Sequence, residues 1–183
     1  MRQSQNTSSI TIAHVPEEQK FIIGNLLQIY LHDFSEFAGA ETPYGQLESG
    51  TFAYPHLDTY WQDASRVPLL IRADGHIAGF ALICAWSSLA CPLDHAVAEF
   101  FIARKFRRTG VGATAAKHIF FSYPGRWEVP VRSDNAPALM FWPAALSVAA
   151  VGPVTAISGD GARWTGPVYC FDNRSTPPGS LGN

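Results

Sequence analysis

Hydrophobic and polar positions follow two rhythms along this chain, and the switches between them predict its elements. Ser9 to Val15 sets Ile10, Ile12 and Ala13 around Thr11, the alternation of a first strand. Pro16 follows, and proline is tolerated in a first helical turn because its missing N–H would have no partner there. Phe21, Ile22, Leu26, Ile29, Tyr30 and Phe34 recur with a period of about 3.6 residues, predicting an amphipathic helix that ends near Phe37. From Ala38 to Pro55 the pattern dissolves around Gly39, Pro43, Gly45 and Gly50 into a long loop, a feature that is often functional. Leu57 to Asp63 reads as a short helix.

Val67 to Ala73 and His76 to Trp86 are apolar runs joined by Asp74-Gly75, a strong signal for a tight hairpin turn. Asp94 to Ala103 is a further strand, and a helix runs from Gly110 to about Ser122, stopped by Pro124-Gly125. Arg126 to Val131 is a strand, and Asn135 to Leu146 a helix capped by Asp134 or Asn135. Val151 to Ile157 and Pro167 to Phe171 are the last strands. This order predicts an α/β (α+β) fold, with a mixed sheet and helices on both faces. Residues 8–173 read as a single domain, and 174–183, with Pro177, Pro178, Gly179 and Gly182, as a loose tail.

A length of 183 residues favours one domain, and 47% hydrophobic residues suit a packed core rather than disorder. The formal net charge of -2 lacks the basic excess of a nucleic-acid binder. No apolar run approaches the ~20 residues of a membrane span, and Met1 to Ser9 lacks the apolar centre of a signal peptide. Cys84, Cys91 and Cys170 form no disulfide framework or metal-like pairing; they read as small buried hydrophobes in a reducing cytoplasm. His32, His56, His76 and His118 show no metal-ligand spacing, so no metal is expected.

The chemistry concentrates where the strand Phe100-Phe101-Ile102-Ala103 meets the basic turn Arg104 to Thr109 and the helix opening Gly110-Val111-Gly112-Ala113. The first N–H groups of a helix lack internal partners and, with the helix dipole, form an anion site. Gly110 and Gly112 remove Cβ atoms that would hold a phosphate away, and arginines add charge-assisted hydrogen bonds. A Walker loop is excluded because no Gly-Lys-Ser/Thr follows. Gly110-x-Gly112-x-x-Ala115, with Glu128 further on, satisfies the letters of a dinucleotide fingerprint. The loop starts past mid-chain, however, leaving too little sequence for a doubly wound sheet, and Glu128 sits near the start of its strand instead of the end.

Arg107-Arg108-Thr109-Gly110-Val111-Gly112 resembles the acetyl-coenzyme A loop of the GNAT superfamily of N-acetyltransferases, Gln/Arg-x-x-Gly-x-Gly/Ala. Asn135 to Trp142 resembles the family's Asn-x-x-Ala-x-x-x-Tyr segment. Tyr30 to Glu36 and Pro124 to Val129 resemble a poorly characterised bacterial group of predicted acetyltransferases within it. The resemblance covers about residues 8–173. It implies a mostly antiparallel sheet and acetyl-coenzyme A as cosubstrate. Backbone groups of Phe101, Ile102 and Ala103 would bind the pantetheine arm. Amides from Arg108 through Thr109, Gly110, Val111 and Gly112 to Ala113 would hold the pyrophosphate beside Arg107. Asn135 would reach the cofactor's arm or stabilise a splay between strands, with Ala138 and Trp142 beside it. Arg104 and Lys105 read as a solvated basic turn.

The family's tyrosine general acid falls on Trp142, whose indole delivers no useful proton; Tyr123 or water would have to substitute. Glu99 is the candidate base. Simple alternation places it on one face with His95, Val97 and Phe101, opposite Ala96, Ala98, Phe100 and Ile102. The plainer alternative is a strand glutamate paired with an arginine or facing solvent. Tyr30, Asp33 and Glu36, where the first helix ends, would border the acceptor groove, the two acids facing a cationic amine. Tyr60-Trp61 would line the acceptor pocket or pack the loop. The implied function is acetyl transfer to a small-molecule primary amine by direct attack. The second reading is an acyl-coenzyme A sensor with weak turnover. Homodimers are common in the family.

Overall fold

The computed structural model describes residues 9–37, 45–149 and 151–174. Most of the expected tail, residue 8 and positions 38–44 of the long loop lie outside the described residues. The elements are β1 (Ile10–His14), α1 (Lys20–Phe34), α2 (Thr59–Gln62), β2 (Val67–Ala73), β3 (His76–Cys84), β4 (His95–Ile102), α3 (Val111–Ser122), β5 (Arg126–Pro130), α4 (Ala136–Ala149), β6 (Thr155–Ser158) and β7 (Pro167–Asp172). Their order is the one the hydrophobic pattern predicts.

One seven-stranded sheet has the order β1-β2-β3-β4-β5-β7-β6. Every neighbouring pair is antiparallel except β4–β5. The β2–β3 hairpin turns through Asp74 (φ 49°) and Gly75 (φ 78°), the two positive values a type I′ turn requires. On one face α1 and α2 bury Ile23, Leu27 and Tyr60 against Leu70, Phe80, Leu82 and Phe101. On the other, α3 and α4 bury Ile119, Phe120, Trp142 and Leu146 against Val97, Trp127 and Val129.

The helix α1 turns out one residue away from its expected phase. Ile23, Leu27 and Leu31 face the sheet, while Phe21 is 61% and Ile29 53% exposed. Apolar residues occupy so much of this helix that two adjacent stripes were available. Ile23 and Leu27 sit deepest, packed with Leu82 and Phe101 on the sheet, and Ile22, Leu26 and Tyr30 of the expected stripe pack half-buried beside them. Of the cysteines, Cys84 is buried as expected, whereas Cys170 is half-buried and Cys91 exposed.

Two irregularities in β4 shape the centre of the molecule. Leu82 stands opposite Glu99 but Ile83 opposite Val97, so Ala98 is an extra residue, a β-bulge. The bulge breaks the simple alternation. Val97 packs with α3 and α4, and Phe100 with them, whereas Ala98 and Phe101 pack toward α1. Val97 and Glu99 therefore do not share a face. The second irregularity is a splay. β4 pairs with β5 only at His95↔Trp127 and Ala96↔Glu128, and the strands then part. β5 turns instead to β7, with which it pairs along its whole length.

Candidate active site

A cavity of about 430 Å³ fills the opening between β4 and β5. Tyr30, Tyr54 and Tyr60 line it from the α1 side, Glu99 and Phe100 from β4, and Asn135, Ala138 and Trp142 from the α4 side. Glu99 is half-buried at the bulge. Tyr30 Oη donates to its Oε2 at 2.6 Å and Tyr54 Oη to its Oε1 at 3.2 Å. Burial pushes the Glu99 carboxyl up to about 7, against the lowering effect of the two tyrosine bonds. A carboxyl poised there exchanges protons near neutral pH. No arginine pairs with it among the described residues. Tyr54 is a site residue that the sequence pattern missed. It comes from the irregular loop, where periodicity carries no signal.

Beyond β4, Gly110 adopts φ 87° and caps α3, a conformation that strains any residue with a Cβ. Arg108 also has a positive φ, 63°. The N–H groups of residues 108–113 have no hydrogen-bond partner among the described residues, and Gly110 faces open space. They form a cradle of amide donors at the positive end of a twelve-residue helix. Gly112 has a different reason for lacking a side chain. A Cβ there would lie 3.2 Å from the Phe141 ring and 3.4 Å from Ile102, so it serves the contact of α3 with α4.

The expected main-chain groups divide. Ala103 spends its N–H on Ala78 O at 2.8 Å, inside the sheet. Phe101, two residues back, shares that side by strand alternation, leaving Phe100 and Ile102 to present their groups to the splay. Ile102 O accepts from Arg107 Nε at 2.7 Å.

Arg107 and Arg104 are ordered by Asp33, which takes Arg107 Nη2 on Oδ2 and Arg104 Nη2 on Oδ1, each at 2.6 Å. Burial opposes the Asp33 charge, but the two arginines outweigh it and hold the carboxyl below its usual range. Asp33 is thus committed to the basic turn, not open to a cationic amine. Arg104, expected to be merely solvated, is part of that ion pair. Glu36 is exposed and does not line the cavity.

At the start of α4, Asn135 Oδ1 accepts the N–H of Ala138 at 3.1 Å, which makes Asn135 the helix cap. Asp134 pairs with Arg132 instead. Trp142 is buried among Phe100, Phe120 and Phe141, with ring centroids 5.1, 6.3 and 5.0 Å away, an apolar wall with no acid to offer. Tyr123 does not line the cavity; its ring packs against His95 at 5.8 Å. Tyr60 lines the cavity, while Trp61 packs the loop by donating Nε1 to Val15 O at 2.8 Å. No group of three metal-binding side chains occurs among the described residues.

The bulged strand, the splay and the amide cradle form one arrangement, and the model of the acetyltransferase (GNAT) family matches residues 26–145, which contain all three. The chain belongs to the GNAT acetyltransferase family. It is an acetyltransferase, and its family draws the acetyl group from acetyl-coenzyme A. No curated protein sequence matches the chain. Among solved structures, an acetyltransferase from Thermus thermophilus is similar with a TM-score of 0.64 at 16% identity, covering 91% of this chain and 98% of that one. The ribosomal-protein-S18-alanine N-acetyltransferase from Escherichia coli superposes with a TM-score of 0.52 at 11% identity, covering 96% and 99%. The spermidine N-acetyltransferase from Vibrio cholerae, in complex with CoA and spermine, gives 0.57 at 10% identity, covering 90% and 95%. At these identities the likeness is one of fold.

The residues present suit coenzyme A. The unpartnered amides of 108–113 would take the pyrophosphate, and the main-chain groups that Phe100 and Ile102 turn to the splay, of which Ile102 O already accepts from Arg107 Nε, would meet the amides of the pantetheine arm.

Proposed function

We propose that this GNAT protein acetylates the primary amine of a small molecule, with Glu99 as the base that receives the amine's proton. The position of Glu99 carries this reading: a carboxyl raised to about 7, held by two tyrosines at the bulge of β4, inside the cavity of the splay. An alkyl amine with a pKa of ~10.4 costs about 4–5 kcal/mol to deprotonate at neutral pH. The leaving thiol, with a pKa of ~8.5, needs only about 2 kcal/mol of help at pH 7. A base is therefore the larger need, and the absence of an acid at Trp142 is the smaller loss.

The cosubstrate supplies an activated acetyl group as a thioester. A C–N bond forms as the C–S bond breaks, the amine proton passes to Glu99 directly or through water, and the sulfur leaves as the thiol after protonation. Tyr30 and Tyr54 fix the carboxylate's orientation. The apolar wall of Phe100 and Trp142 keeps bulk water from the reacting atoms.

The test is release of free thiol from acetyl-coenzyme A with varied primary amines. Amine-dependent release, with the acetylated amine found by mass spectrometry, is expected. Tight coenzyme A binding with release no faster than hydrolysis would instead favour the sensor reading, for which the apolar Trp142 at the acid position speaks.

A further inference from the structure

Arg66 stands apart from the other arginines among the described residues. It follows α2, lines the cavity, and has a side chain only 25% exposed, with its guanidinium 5.3 Å above the Tyr60 ring. Its one ionic contact among the described residues is long, Nε to Asp63 Oδ2 at 3.4 Å. The other Asp63 oxygen is taken by the N–H and hydroxyl of Ser65 at 2.8 and 2.7 Å. A guanidinium carries five N–H donors. The four on the terminal nitrogens of Arg66 make no hydrogen bond among the described residues. Arg132, the second arginine at the cavity, differs, because Asp134 meets it with both oxygens.

A second polar group at the same cavity is also unspent. Ser88 is 2% exposed, and its Oγ has no hydrogen-bond partner among the described residues. Leaving such a group unsatisfied opposes folding. The loop is not slack: the Ser88 N–H donates to buried Glu128 at 2.7 Å, as the Ser87 hydroxyl does at 2.6 Å, and Arg163 Nε donates to Ser87 O at 2.8 Å. The hydroxyl is held in place facing no protein partner.

Arg66 and Glu99 belong to one electrostatic neighbourhood, since both act on Tyr60 and on Cys84. In the β3–β4 register Cys84 lies two residues from Leu82, the partner of Glu99, a displacement of about 7 Å along the strand. A molecule of modest length can reach both groups. Aromatic rings of Tyr60, Trp86, Phe100 and Trp164 complete the lining.

We propose that the acceptor is an amine that also carries a carboxylate on an apolar body, an amino acid or close analogue, with Arg66 taking the carboxylate and the amine lying at Glu99. A guanidinium with free terminal N–H groups matches a carboxylate in two parallel hydrogen bonds. The Ser88 hydroxyl serves a further polar atom of the same molecule. A polyamine, which brings only positive charge to a cavity bearing Arg66, is disfavoured. This inference rests on the acceptor reading of the cavity given above.

Matched pairs that differ only by the carboxylate test it: L-phenylalanine against phenethylamine, and L-leucine against isopentylamine, with spermidine as a third arm. Thiol release gives kcat/KM for each, and quenching of tryptophan fluorescence in the presence of coenzyme A gives binding without turnover. The carboxylated member of at least one pair should lead its partner and spermidine by about tenfold or more in turnover or binding. Arg66→Gln, shown folded by circular dichroism, should bring the pair to within about twofold, with Arg66→Lys in between. Acetylation of the plain amines or spermidine without that lead overturns this inference and leaves the transfer reading standing. Arg66-dependent binding of the amino acids without acetylation sustains the inference and sinks the transfer reading. No binding and no turnover with any of the probes overturns the inference.

Discussion

Tyr30 and Glu99, 69 positions apart in sequence, meet in a hydrogen bond of 2.6 Å between the last turns of α1 and the bulge of β4. This bond and the longer one from Tyr54 lower the carboxyl's pKa against the stronger effect of burial. Tyr30→Phe should therefore raise the Glu99 pKa further. The acidic limb of the kcat–pH profile should move upward by about 0.5–1 pH unit, an energy of about 1 kcal/mol. A limb that stays in place would separate Tyr30 from the titration of the base.

The same carboxyl makes a stability prediction. Its pKa is about 7 in the fold against an ordinary 4.5. Between these values the folded chain holds more protons than the unfolded one, so this group's contribution to stability falls as pH rises through the window and is constant above it. The span amounts to about 3 kcal/mol at most. Glu99→Gln, which cannot ionise, should gain stability relative to wild type from pH 4.5 to 7.5. Urea denaturation at several pH values measures the difference, and parallel curves would contradict it.

At the amide cradle, Gly110→Ala places a Cβ on a residue at φ 87°. The left-handed backbone costs an L-residue about 1–2 kcal/mol. The melting temperature should fall by a few degrees. Coenzyme A affinity should drop about tenfold if the loop relaxes away from its donors, read by isothermal titration calorimetry. Gly112→Ala should cost stability through Phe141, and pairing it with Phe141→Leu should recover part of that loss.

Trp142→Tyr supplies a hydroxyl at the position where the resemblance implies a tyrosine acid. Trp142 packs against three aromatic rings, and the leaving thiol needs only about 2 kcal/mol of help at pH 7. Turnover should change by less than about threefold, while stability falls by about 1–2 kcal/mol from the lost packing. A gain in kcat well beyond that range would show that thiol protonation limits the reaction.

Much of this was legible in the chain. The order of strands and helices, the hairpin at Asp74-Gly75 and the glycine turn that opens α3 at Gly110 all follow from local chemistry, in periodicity and turn residues. What stayed hidden depends on tertiary contact. The bulge at Ala98 adds one residue, and no pattern in Ala96 to Phe101 marks where the alternation slips. The true stripe of α1 was masked by apolar neighbours on both sides of it. Asp33 reads as a free acid until the fold brings Arg104 and Arg107 to it across more than 70 residues. Tyr54 sits in a loop with no rhythm, so its bond to Glu99 had no local sign.

The pH dependence of kcat for wild type and Glu99→Gln, with acetyl-coenzyme A saturating, addresses the role of Glu99 in one measurement. Wild-type turnover should rise to a plateau through a pKa of about 7. Glu99→Gln should lose that limb and fall about 10²–10⁴-fold in kcat, with coenzyme A affinity nearly intact. Unchanged turnover at every pH would contradict Glu99 as the base.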